Sequence, residues 1–110
     1  MKPALEIILN GDIVIEYQRN TRLPGKQREF LDMMDIDMDD GINLDGKFVS
    51  SPNKQQRSHY VSMNLIQALN SNNKVMITAS CAYLANRQPT LQQIRANEEG
   101  DAVTLELVFD

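Results

Sequence analysis

The chain has 110 residues, of which 42% are hydrophobic, 24% charged and 5% aromatic, with one cysteine and a net charge of -4. These values predict a single globular domain over 1–110 and exclude disordered, collagen-like and disulfide-rich classes. A lone cysteine, Cys81, excludes an intramolecular disulfide and a four-thiolate zinc site, and it is typical of a reducing compartment. No segment resembles a membrane helix or a signal peptide. We therefore expect a cytoplasmic protein without membrane contact.

The first element is a predicted β-hairpin. Apolar residues alternate on either side of Asn10-Gly11. Both residues of this pair tolerate the positive φ that a type I′ hairpin turn requires. The alternating apolar positions are Leu5, Ile7 and Leu9, then Ile13, Ile15 and Tyr17.

A helix is predicted over about 26–34, after Pro24-Gly25. Its apolar face consists of Phe30, Leu31 and Met34. We expect it to end near Asp35 and Asp37, because carboxylates are unfavourable at the negative end of a helix dipole.

Residues 34–39 allow an extended alternative. Apolar and acidic side chains alternate there, so a strand would have one apolar and one acidic edge. Such a segment is typical of an edge strand that pairs within its own chain or with a second copy.

Two more helices are predicted in the middle of the chain. Ser50 or Ser51 is the expected N-cap of the first, with Pro52 at its first helical position and an end within 70–73. Residues 74–87 begin like a strand and continue like a helix. We favour a helix because the segment is long for a strand.

The C-terminal region is predicted to form a second hairpin. Residues 91–96 and 103–109 alternate between apolar and polar positions, and 97–101 is the expected turn. The fold class is therefore α+β, a single small domain with the order ββαααββ. The N- and C-terminal hairpins would form an antiparallel sheet, and the helices would lie on one face.

Charge is unevenly distributed along the chain. Residues 29–45 contain seven acids and no base, whereas the stretch before them, 19–28, is basic. An overall acidic chain lacks the cationic face that phosphate contacts need, so nucleic acid is an unlikely partner. The acids are Glu29, Asp32, Asp35, Asp37, Asp39, Asp40 and Asp45.

The acidic segment allows three interpretations. It is a solvated loop, a docking surface for a basic partner, or a loose site for a hard cation. A calcium loop needs glycine at its sixth position and glutamate at its twelfth, and the registers that begin at Asp35, Asp37 or Asp39 have neither. The candidate partner-binding residues are Asp35, Asp37, Asp39, Asp40 and Asp45, and the weak metal candidates are Asp39, Asn43 and Asp45.

The basic stretch is a candidate anion site. Its charged residues flank a predicted helix start, where free N–H groups and the dipole favour anions. The alternative is that these side chains pair with the neighbouring aspartates or lie in water. The candidates are Arg19, Arg22, Lys26 and Arg28.

No catalytic residue and no cofactor are predicted. His59 and Cys81 are the available base and nucleophile, and nothing in the sequence brings them together. The favoured function is a non-catalytic protein-interaction or regulatory module that uses 29–45 beside 19–28 to bind a protein partner or a second copy of itself. The alternative is a small metal- or ligand-binding enzyme that uses the carboxylates of 29–45. A flat acidic face bordered by methionines would favour the module, and a deep pocket with raised carboxylate pKa values would favour the enzyme.

Overall fold

A computed structural model describes residues 4–19, 25–44 and 46–110. The described part contains three helices and six strands. In chain order they are β1 (Leu5–Leu9), β2 (Asp12–Tyr17), α1 (Gly25–Asp39), β3 (Ile42–Leu44), β4 (Lys47–Val49), α2 (Lys54–Asn70), α3 (Lys74–Arg87), β5 (Leu91–Glu99) and β6 (Ala102–Phe109).

The main sheet has four strands in the order β2-β1-β5-β6. Each hairpin is antiparallel, and the two hairpins join through the parallel pair β1 and β5. The predicted α+β class and the ββαααββ order of the main elements are confirmed. The sheet is mostly antiparallel, but the parallel pairing of β1 with β5 differs from the expected antiparallel junction. The small β3–β4 hairpin was not predicted.

The core lies between the helices and one face of this sheet. Its sheet side includes Leu5, Ile7, Leu91 and Ile94, all fully buried. The helices contribute Leu31, Val61, Leu65, Ile66 and Leu84. Apolar and polar residues therefore alternate in both hairpins for the predicted reason, because one face of the sheet packs on the core and the other faces water.

The first hairpin turn is the one predicted. Asn10 has a φ of 53° and Gly11 a φ of 87°, as a type I′ turn requires. In the second hairpin the turn is shorter than predicted, because Glu99 pairs with Ala102 across two residues.

Helix α1 extends beyond the predicted end near Met34 and reaches Asp39, so that boundary was wrong. The extended alternative for 34–39 was also wrong. Leu31 and Met38 are both buried, seven residues apart on one side of the helix. Burial of this stripe, together with arginines from other helices, stabilises a helix whose acidic end is unfavourable in isolation.

Helix α2 begins later than predicted. Its N-cap is Asn53 and not Ser50 or Ser51, and Pro52 lies before the cap. Asn53 and Gln56 form a capping box, with two hydrogen bonds of 2.8 Å. Residues 74–87 form α3, so the helix favoured for this ambiguous segment is confirmed. No helix in the described ranges is long and apolar enough to cross a membrane.

Candidate functional site

Asp35, on the inner side of α1, accepts hydrogen bonds from three side chains of the other helices. Its Oδ1 accepts hydrogen bonds from the Tyr83 hydroxyl and from Arg57 Nη1, the latter at 3.2 Å. Its Oδ2 accepts from Arg87 Nε at 3.0 Å. One carboxylate therefore joins α1 to both other helices.

The same two arginines bind further acids of α1. Arg57 Nη2 lies 2.6 Å from Asp39 Oδ1, and Arg87 Nη2 lies 2.8 Å from Asp32 Oδ1. Three of the acids in 29–45 are thus paired with bases from α2 and α3. We call this group, which comprises Asp32, Asp35, Asp39, Arg57, Tyr83 and Arg87, the ion network.

Within the ion network the pKa of Asp35 is lowered and that of Tyr83 is raised. Partial burial alone would raise the pKa of Asp35, but hydrogen bonds from Tyr83, Arg87 and Arg57 outweigh it and lower that pKa. Burial, and then the hydrogen bond to Asp35, raises the pKa of Tyr83. A general acid needs a raised carboxylate pKa, so these shifts favour a structural role.

The outward side of α1 is a mixed apolar and acidic surface. Met33 is 59% exposed, Ile36 62% and Phe30 43%. We call this surface the outer face of α1. Charged residues at helical spacing, all exposed, complete it, and its members are Lys26, Glu29, Phe30, Met33, Ile36, Asp37 and Asp40.

A groove of about 480 Å³ lies beside one end of the outer face, between the first turns of α1 and α3. Its apolar lining includes Phe30, Val75 and Ala79, and Lys26 and Lys74 also line it. Because α1 and α3 both begin here, their positive dipole ends add to the two lysines. This end of the site is cationic, whereas the other end of α1 is acidic. We call it the α1–α3 groove.

The predicted partner-binding residues divide into two groups. Asp35 and Asp39 belong to the ion network, with Arg57 bound to both. Asp37 and Asp40 are exposed and make no ion pair with any described residue. Asp45 lies outside the described residues.

The weak metal candidates are not brought together by the structure. Asp39 binds Arg57, Asn43 is exposed on β3, and Asp45 is outside the described residues. Within 4–19, 25–44 and 46–110, no three His, Cys, Asp or Glu side chains are placed to hold a metal ion.

The anion candidates are also dispersed. Arg19 Nη1 donates to the carbonyl oxygens of Ala85, Gln88 and Pro89 at 3.2, 3.3 and 3.4 Å, at the end of α3. Arg22 lies outside the described residues, and Lys26 and Arg28 are exposed on the first turn of α1. Arg19 therefore satisfies terminal helix carbonyls in this fold.

Sequence reasoning missed Arg57, Tyr83 and Arg87. Tyr83 and Arg87 are four residues apart, so they share a helix face, and the Arg87 guanidinium lies 5.7 Å from the centre of the Tyr83 ring. Their spacing was the available signal, but it does not indicate which helix they face. His59 lies on α2, and burial raises the pKa of the Cys81 thiol to about 12.

Comparison of the chain with protein-family models, curated proteins and solved structures found no match. We therefore infer the role of the site from its own residues.

Proposed function

We propose that this protein is a non-catalytic interaction module that docks a partner through the outer face of α1. The observation that carries this proposal is the exposure of Met33 and Ile36, at 59% and 62%, beside the exposed acids Asp37 and Asp40. Exposed apolar side chains rimmed by charge are typical of protein docking surfaces. Methionine suits such a surface because it adapts to irregular partners.

The partner that fits this face is an apolar protein segment that also carries a basic group. Apolar contact with Met33 and Ile36 would supply most of the affinity, since exposed ion pairs contribute little on their own. Attraction to Asp37 and Asp40 would accelerate encounter and select the partner. Packing of α1 on α2 and α3 through the ion network fixes the face before binding, which lowers the entropic cost of association.

The enzyme alternative has less support. The Asp35 carboxylate is bound by three donors from its own chain, and its pKa is lowered. A metal-dependent or acid–base site would instead use free or raised carboxylates. The groove of about 480 Å³ lies at the opposite end of α1 from Asp37 and Asp40. The arrangement of these carboxylates thus supports docking of a partner better than catalysis by the carboxylates.

A cytoplasmic location is part of the proposal. It is supported by the single cysteine, which is a buried free thiol in the core. Fluorescence imaging of the tagged full chain with fractionation of its native host would test this, and export of the mature chain would contradict it.

The function is tested by crosslinking from the face itself. Met33→Cys provides an exposed thiol for a benzophenone maleimide, because Cys81 is buried. Val14→Cys, on the edge strand β2, is the matched control at 44% exposure. We expect photocrosslinks in native lysate from position 33 that exceed those from position 14, and mass spectrometry should map them to apolar segments that contain a basic residue.

A second variant shows whether the crosslinks depend on the face. Adding Ile36→Ser, Asp37→Asn and Asp40→Asn to Met33→Cys should abolish the adducts while circular dichroism shows an intact fold. Equal capture from positions 14 and 33, or capture that persists in the combined variant, would overturn the proposal.

A further inference from the structure

The outer face of α1 has a nearly symmetric arrangement about Met33. Lys26 and Asp40 lie seven residues to either side, and Phe30 and Ile36 lie three residues to either side. All five are exposed, and four of them, Lys26 to Ile36, lie within the helix itself. We propose that the partner of this face is a second copy of the chain, bound as an antiparallel, two-fold symmetric α1–α1 pair centred on Met33; this inference rests on the proposed function.

Helical spacing supports this register. Positions 26, 33 and 40 repeat every seven residues, with 29–30 and 36–37 between them, which is the pattern of a helix-pairing stripe. In an antiparallel pair centred on Met33, Lys26 of each copy lies at the level of Asp40 of the other. Phe30 lies at the level of Ile36 of the second copy. Apolar side chains thus meet in the middle, and opposite charges meet at both ends.

The charge distribution selects the antiparallel arrangement. The first turn of α1 is cationic, since Lys26 and Lys74 both line the α1–α3 groove at the start of the two helices. The last turn of α1 carries the exposed Asp37 and, just after the helix, Asp40. A parallel pair would bring each charged position opposite its own like charge, whereas an antiparallel pair brings Lys26 of each copy to Asp40 of the other and leaves Glu29 opposite Asp37. A two-fold arrangement also closes on itself and leaves no unpaired copy of the face.

The size of the contact predicts a weak dimer. A helix of 15 residues is about 22 Å long. Pairing along this length, with Val75 at the groove edge adding apolar area, would bury on the order of 1,000 Å² in total, which is the low end for a specific interface. We therefore expect a reversible equilibrium with a dissociation constant of about micromolar magnitude.

A disulfide trap tests the symmetry axis directly. Met33→Cys places one thiol from each copy at the centre of the pair, so mild oxidation of the purified full chain should give a covalent dimer. Thr104→Cys, exposed on β6 on the opposite side of the sheet, is the control and should stay monomeric at the same concentration. Equal trapping at both positions would show random collision and overturn the proposal.

Charge reversal tests the register without harming the helix. Lys26→Asp and Asp40→Lys each replace an attraction by a repulsion at both ends of the pair. Both changes agree with the helix dipole, so neither should unfold α1. In sedimentation velocity, each single variant should raise the dimer dissociation constant by about tenfold. The combined Lys26→Asp/Asp40→Lys variant should return the dissociation constant to the wild-type value.

Glu29 supplies a variant that should strengthen the dimer. In the proposed register Glu29 lies at the level of Asp37 of the second copy, so two carboxylates face each other and repel. Glu29→Lys should lower the dissociation constant in the same sedimentation experiment. A constant that does not change, or that rises, would overturn this register.

The outcomes separate this inference from the proposed function. A wild-type chain that stays monomeric at all concentrations, with no trapped dimer, would overturn the second copy as partner. The proposed function would still hold if position 33 crosslinked to a different protein in lysate. Absence of both the dimer and a face-dependent crosslink would overturn both.

Discussion

The Tyr83 hydroxyl donates a hydrogen bond to Asp35 Oδ1 and joins two helices across 48 residues of sequence. Tyr83 is 2% exposed, so its ring lies in the core while its hydroxyl reaches the ion network. Asp35 also forms ion pairs with Arg57 and Arg87. This carboxylate therefore fixes α1 on the other two helices, and the outer face of α1 depends on it for its position.

Tyr83→Phe should destabilise the fold by about 1–2 kcal/mol, because it removes a hydrogen bond to a charged acceptor and keeps the ring. Urea denaturation followed by circular dichroism measures this. Tyr60→Phe, on α2, is the control for loss of a hydroxyl and should change the free energy of unfolding less. A Tyr83→Phe variant as stable as the wild type would show that the two arginines alone satisfy Asp35.

Stability should fall in acid partly through Asp35. Its pKa in the folded chain lies below the ordinary value of 3.8, so the unfolded chain takes up a proton at a higher pH than the folded chain. The contribution of Asp35 is therefore fully present above the unfolded pKa and is lost as pH falls through the folded pKa.

Urea midpoints measured from neutral pH to below the ordinary Asp pKa test this. Asp35→Asn should be less stable than the wild type at neutral pH, and the difference should shrink as acid removes the wild-type advantage. Asp101→Asn, in the exposed β5–β6 turn, is the control. A difference between wild type and Asp35→Asn that stays constant with pH would contradict the assignment.

Arg19 should stabilise the end of α3. Its guanidinium donates to three carbonyl oxygens there, and burial lowers its pKa. Arg19→Met should cost about 1 kcal/mol, because it removes a hydrogen-bond donor to those carbonyls and a cation from the negative helix end. Thermal unfolding checks this against Arg28→Met, an exposed position where we expect almost no change. If both variants had the same melting temperature, the contacts of Arg19 would not contribute to the stability of the fold.

Cys81 should resist alkylation in the folded chain. It is 1% exposed, and burial raises its pKa to about 12, so little reactive thiolate exists at neutral pH. Mass spectrometry after N-ethylmaleimide treatment should show no adduct in native buffer and one adduct in concentrated urea. The Met33→Cys variant should gain one adduct in native buffer. Rapid native modification of the wild-type chain would contradict the buried position.

Local patterns predicted most of the fold. Asn10-Gly11 specified its hairpin because few other residue pairs accept two positive φ angles. The alternation around Leu105 and Leu107 indicated a sheet with one buried face, since successive side chains point to opposite sides. The segment 74–87 was settled as a helix by its length. Each of these signals depends on residues that are close together in the sequence, so it can be recognised without the tertiary structure.

The boundaries of α1 and α2 were not predictable in the same way. The end of α1 depends on Arg57 and Arg87, which lie on other helices and compensate the acids that would otherwise end it. The N-cap of α2 was predicted at Ser50 or Ser51, whereas the structure places it at Asn53, which forms a capping box with Gln56.

The sequence by itself determined the fold class, the main elements and the position of the acidic segment. It could not show that Asp35 and Asp39 are paired while Asp37 and Asp40 remain exposed. The tertiary structure alone decided this, because the side of α1 that faces α2 and α3 is set by packing of Leu31 and Met38 into the core. Charge along a chain is a one-dimensional property, whereas which charges meet a partner depends on contacts between distant residues.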